Sequence, residues 1–215
     1  MTNRLTALVA FAAIGAVSAG CGGVQTVTQV TDAYQPAKHK RLAILAFQSK
    51  YADGSSMADS FLPLFMGEGF VGVDRIVVDG ALEAMNVSDP SSITLEQIRK
   101  LKEQANVDVV VMGSIDAEKT GDILAVSLRA VDSQNGDVLI SSSFKNEKEV
   151  DKIEIPGLMM KDIHSRLRQL AKARLREQRR LAKAEKKRQR AAAKAAAAAA
   201  KAAGTAATGA GSPTP

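Results

Sequence analysis

Tryptophan is absent from this chain, and Phe and Tyr together make up only 4% of it. A core must therefore come mainly from Val, Ile, Leu, Ala and Met. One cysteine, Cys21, excludes an internal disulfide and any cysteine-based zinc cluster. The two histidines, His39 and His164, lie far apart, and neither has the Cys or acid spacing of a ligand set. His39 stands between Lys38 and Lys40 and reads as a solvated side chain. There is no G-x-S-x-G elbow for a nucleophile and no G-x-x-x-x-G-K phosphate loop. With no cluster of acid, base and nucleophile, the sequence reads as non-enzymatic, with no metal and no cofactor. The turn Asp53-Gly54-Ser55-Ser56 offers backbone N–H groups to an anion, but a serine capping a helix is the plainer reading.

What is present begins at the amino terminus. A short basic start (Asn3, Arg4) leads into an apolar run over 5–17, then Ser18, Ala19, Gly20 and Cys21. The run is too short for the ~20 residues that span a bilayer, but it suits a secretory signal followed by small residues at a cleavage point. Val17-Ser18-Ala19-Gly20-Cys21 resembles the lipobox of bacterial lipoproteins, with Ser18 where that motif prefers Leu. The resemblance implies cleavage before Cys21, acylation of its sulfur and a membrane anchor. Gly22, rather than Asp, implies the periplasmic face of the outer membrane. The expected organisation is a signal peptide at 1–20, a tether at 21–39, an α/β domain at 40–156, a basic helix at 157–203 and a disordered tail at 204–215.

Within the tether, Val and Thr alternate with Gln over 24–30, as an edge strand would. Residues 41–47 (RLAILAF) form a nearly continuous apolar run and read as a buried strand. Helices are expected over 57–68, despite Pro63, and over 76–85, with Ile76, Leu82 and Met85 on the apolar face. A third runs from Thr94 to Gln104, where Thr94 and Gln97 have capping-box spacing. The β-branched run 107–115 reads as a central strand. Residues 123–131 alternate, with Leu124, Val126, Leu128 and Ala130 on one face. Asn135-Gly136 signals a tight hairpin into a partner strand over 137–144. Strands and helices interleave early, and an antiparallel meander comes after them. The fold class is therefore α/β, a mixed sheet with helices packed on it and a long basic helix after it.

This order, read with the stretches NVDVVVMGSID and LRAVDSQNGDV, resembles the CsgG-like family of curli-secretion lipoproteins. The similarity extends more loosely to LpoB-type activators of cell-wall synthases and the N-terminal domain of TolB. It covers roughly 40–144, with Asn106-Val107 where the family has a Gly-Ala pair. It implies an outer-membrane lipoprotein that works through contacts with other envelope proteins, as an adaptor or assembly factor. A component of a secretion pore, as a homo-oligomer, and a peptidoglycan-synthase activator are alternatives. Residues 116–122 are too short for a pair of membrane strands, each of which needs about 9–11 residues.

The last part of the chain changes character. From 161 to 201 there are fifteen Lys and Arg against three acids, about +12, which leaves the remainder near −6. Met160, Ile163, Leu167 and Leu170 recur at helical spacing, and the apolar pattern then stops at Arg174. Beyond Arg174 the chain is rich in strong helix formers, and a helix to about Ala203 would extend roughly 65 Å before Gly204 ends it. The residues expected to meet anionic envelope material are Lys172, Arg174, Arg176, Arg179, Arg180, Lys183, Lys186, Lys187, Arg188 and Arg190. Export removes nucleic acid as a partner and leaves lipid phosphates, lipopolysaccharide and peptidoglycan carboxylates.

Overall fold

Two stretches of this chain are apolar without a break, 42–45 and 109–112, and they lie side by side in the middle of one sheet. The computed structural model describes residues 25–87, 89–146 and 150–208. Its strands are β1 (Gln25–Val30), β2 (Arg41–Ile44), β3 (Gln48–Ser49), β4 (Val71–Gly72), β5 (Val109–Ala117), β6 (Ile123–Asp132) and β7 (Val138–Lys145). Its α-helices are α1 (Gly54–Gly67), α2 (Arg75–Ala84), α3 (Leu95–Ala105) and α4 (Ile155–Thr208). The seven strands form one mixed sheet in the order β1-β7-β6-β5-β2-β4, with β3 also beside β5. β2 runs parallel to β4 and β5, whereas β5, β6, β7 and β1 are antiparallel in turn.

Burial explains the two patterns of strand sequence. Leu42, Ile44, Val109 and Val111 pack under α1 and α4, while Ala43, Leu45, Val110 and Met112 pack under α2 and α3. A strand covered on both faces needs apolar residues at every position. β6 and β7 are covered on one face, so Ser127, Arg129, Ser141 and Ser143 alternate outward. The core is less aliphatic than the composition suggests. Phe47, Phe61, Phe65 and Phe70 join Tyr34 in a run of ring contacts 5.5–6.5 Å between centroids, all on the α1/α4 side. Few aromatics suffice because they are gathered on one face.

Several local expectations shift. Helix α1 is capped by Asp53, not by a serine: its Oδ1 accepts from the N–H groups of Ser55 and Ser56, both at 3.0 Å. Pro63 lies inside α1 without ending it. The carbonyl it deprives of a partner belongs to Asp59, an exposed residue. In α2 the buried residues are Val78, Ala81 and Leu82, while Ile76 is 81% exposed. Thr94 and Gln97 form the expected capping box on α3. At the other end of α3, Asn106 has φ 52° and caps it in the left-handed conformation. Leu124 does not join the inward face of β6. A bulge opposite Asp116 and Ala117 takes it out of register and leaves it exposed. In the β6–β7 turn Gly136 has positive φ and Asn135 does not, so the connection is longer than a two-residue turn. A register shift beside Val131 accommodates it.

The stretch read as a tether folds onto the body. β1 pairs with β7 along its whole length as the sheet's edge, Thr31 N–H bonds to the Leu139 carbonyl, and Tyr34 and His39 are buried. At the far end α4 continues through Gly204 to Thr208. A glycine costs about 1 kcal/mol in a helix, too little to end one in so alanine-rich a stretch.

Candidate functional site

Helix α4 is two structures in one. Over its first turns Ile155, Met159, Met160 and Ile163 are buried, with Leu158, Leu167 and Leu170 packed around them. This face lies on β1, β7 and α1. Polar contacts reinforce it. His164 Nδ1 bonds to Glu68 Oε1 at the end of α1, and Arg174 Nη2 donates to the Asp32 carbonyl at 2.8 Å. Tyr34 is coupled to both ends of this seam. Burial pushes its hydroxyl pKa up, and the Glu68 carboxylate adds to that, against an opposing effect of Arg174. Arg174 is the last half-buried residue, and every residue from 175 to 197 is exposed. The helix beyond it, to Thr208, is about 50 Å long at 1.5 Å per residue.

The geometry sorts the ten predicted arm residues. At 100° per residue, Lys172, Arg176, Arg179, Arg180, Lys183, Lys186, Lys187 and Arg190 fall within an arc of about 120°. Arg168 and Lys194 fall in the same arc and extend the stripe at both ends. Arg174 and Arg188 do not: they lie on the reverse side with Glu177 and Glu185. Arg174 is in addition committed to Asp32. In the docked turns the exposed positions Lys161, Arg168 and Lys172 lie on the stripe side, and buried Ile163 and Met159 lie opposite. The basic face therefore points away from the globule from Lys161 to Lys194. Cys21, the predicted lipidation site, lies outside the described residues.

The second buried polar group was not legible in the sequence. His39 is not solvated; it is 5% exposed. Its Nδ1 accepts from the Gln35 N–H at 2.9 Å, which leaves the proton on Nε2 to be donated to Asp132 Oδ2 at 3.1 Å. The ring stacks on Tyr34 with centroids 5.8 Å apart. Burial pushes the Asp132 carboxyl pKa up. The Gln134 N–H and the His39 ring outweigh this and hold it below the usual carboxylate range. Every polar atom of the imidazole is thus satisfied within the chain, which fits a tie between the 31–39 loop and the end of β6. Each histidine meets one acid from a distant element. Among the described residues no group of three or more His, Cys, Asp or Glu is placed to hold a metal. Among them too, no helix is long and apolar enough to cross a membrane.

No protein-family model and no curated protein sequence matches the chain. Solved structures give distant likenesses. Lipoprotein GNA1162 from Neisseria meningitidis is 15% identical, over 59% of this chain and 95% of its own, with a TM-score of 0.45. The LpoB C-terminal domain from Escherichia coli is 11% identical, over 51% and 84%, with a TM-score of 0.41. TolB from Acinetobacter baumannii is 16% identical, over 66% of this chain and 31% of its own, with a TM-score of 0.40. Likeness this distant does not identify a function.

Proposed function

We propose that this protein is a non-enzymatic envelope lipoprotein, held through Cys21 at the periplasmic face of the outer membrane, that acts as an adaptor. Its α/β body contacts other envelope proteins and its basic arm contacts anionic envelope material. The observation that carries this reading is the gathering of the arm's charge on one exposed face of a helix that extends well past its last contact with the body. A helix that only had to stay soluble would mix both signs around its circumference, because pairs of opposite charge at i,i+4 add stability and like charges oppose it. The leader sequence through Cys21 supplies the compartment.

The test is truncation after Leu175, which keeps the docked turns and the Arg174 contact. The shortened chain is expected to melt within a few degrees of the full chain and to lose salt-sensitive retention on a washed envelope fraction. Equal retention of both chains at low salt would overturn the role of the arm. An unmodified Cys21 thiol in the exported protein, read by mass spectrometry, would overturn the anchor.

A further inference from the structure

The shape of the basic face restricts what it can fit. From Arg168 to Lys194 its charges follow one another at three- and four-residue steps, doubled at Arg179-Arg180 and Lys186-Lys187, about one charge per 4 Å of axis. No acid interrupts the arc over that length: Glu177 and Glu185 are on the reverse side. A straight helix charged along one arc can touch a plane along its whole length. A flexible chain wound around it would also meet alanine, glutamine, Leu175, Leu181 and the two carboxylates, with Arg188 the one basic residue of that side not committed to the body. The docked turns add an independent observation. There too the basic side is open, with Lys161, Arg168 and Lys172 exposed, while the body packs against the opposite side. The body therefore does not stand between the stripe and a flat surface. Leu181 is 63% exposed but lies off the stripe, and no Phe, Tyr or Leu lies within it, so the face has charge and no apolar wedge.

We propose that α4 lies lengthwise on an anionic phospholipid bilayer, basic face down, with the α/β body on the far side. This rests on the reading of the arm as an anion-binding element and names its partner. Phospholipid headgroups offer phosphates as a dense planar array that many stripe residues can meet together. The carboxylates of peptidoglycan are carried on separate peptides and would engage few at a time. Contact through charge alone makes the binding reversible by salt, because surface charges are screened over about 8 Å at 0.15 M.

The test uses the Cys21→Ser chain in every arm, so that no acyl group contributes. Binding is measured by co-sedimentation with vesicles of phosphatidylethanolamine and phosphatidylglycerol, with phosphatidylcholine vesicles and purified peptidoglycan in parallel. The decisive variant turns three charges about 100° around the helix at constant net charge: Lys183→Ala with Ala184→Lys, Arg190→Ala with Ala191→Arg, and Lys194→Ala with Ala195→Lys. Each basic residue near an anionic surface contributes roughly fivefold in affinity, so this variant is expected to bind the anionic vesicles about a hundredfold more weakly than its parent. Phosphatidylcholine vesicles are expected to bind neither. Equal binding by parent and rotated variant would overturn the one-faced contact. Binding of the parent to peptidoglycan and not to vesicles would overturn the bilayer and leave the arm's role standing. Binding to neither would overturn both. Circular dichroism of each variant confirms that helix content is retained.

Discussion

At the scale of the residue, two close contacts decide more than their positions in the sequence suggest. Gly113, in the middle of β5, faces the ring of Phe47. A Cβ there would lie 2.6 Å from that ring and 2.7 Å from the backbone carbonyl of Ser127. A ring can move but the neighbouring strand cannot. Gly113→Ala is therefore expected to destabilise the fold by about 1–3 kcal/mol in denaturant unfolding, with Phe47 displaced. The second contact is His39 with Asp132. Because the Asp132 carboxyl titrates below its usual range when folded, it contributes stability that is present above the unfolded carboxylate pKa of about 3.9. That contribution is lost as pH falls through the folded value. Asp132→Asn is expected to flatten this part of the acid limb when unfolding free energy is measured from pH 6 downward. Asp132→Ala is expected to cost about 1–3 kcal/mol at pH 7, since it strands the buried Nε2–H.

At the level of the helices and strands, ends and faces govern. Helix α3 is closed by Asn106 at φ 52°. Asn is the residue other than Gly that visits this region most readily, because its short amide bonds locally. Asn106→Gly is thus expected to leave stability within about 0.5 kcal/mol of the parent, and Asn106→Ala to cost about 1 kcal/mol, both read by thermal unfolding. For α4, the docked and free parts should respond in opposite ways to the same chemical change. Ile163 is fully buried, so Ile163→Ala is expected to cost about 2–5 kcal/mol. Leu181 is 63% exposed beyond the last contact, so Leu181→Ala is expected to change stability by less than about 0.5 kcal/mol. The capping box of α3 and the β-branched β5 were readable because each depends on neighbours in the chain. The Leu124 bulge was not, because it exists only where β6 meets β5.

For the molecule as a unit, a net charge of +6 hides an acidic body and a basic arm. The body is held by two cores, one on each face of the sheet, and the arm over 175–197 is exposed throughout. Opening of the arm therefore needs only local helix fraying, and opening of the central strands needs global unfolding. Limited trypsin digestion of the native chain is expected to cut first between Arg176 and Lys194 and to leave a resistant fragment that ends just past Arg174. An early cut after Arg129 in β6 would contradict this division. Hydrogen exchange should agree, with amides of the arm exchanging far ahead of those in β5.

Features that depend on order along the chain were readable before any fold was known. The alternation of β6, the continuous apolar runs of β2 and β5, the capping box of α3 and the basic character of the last helix all arise from local spacing and propensity. The ten arm residues were named from basic composition alone, and eight of them share one arc of the helix while Arg174 and Arg188 do not. Which side of that helix is free was decided only in three dimensions, because the choice is made by where 155–170 packs against β1 and α1. The same holds for the histidines, whose acids come from 93 and 96 positions away, and for the partner of β1, whose alternation marked an edge strand but not its pairing with β7. Those outcomes depend on groups brought together by folding, and no local pattern encodes them.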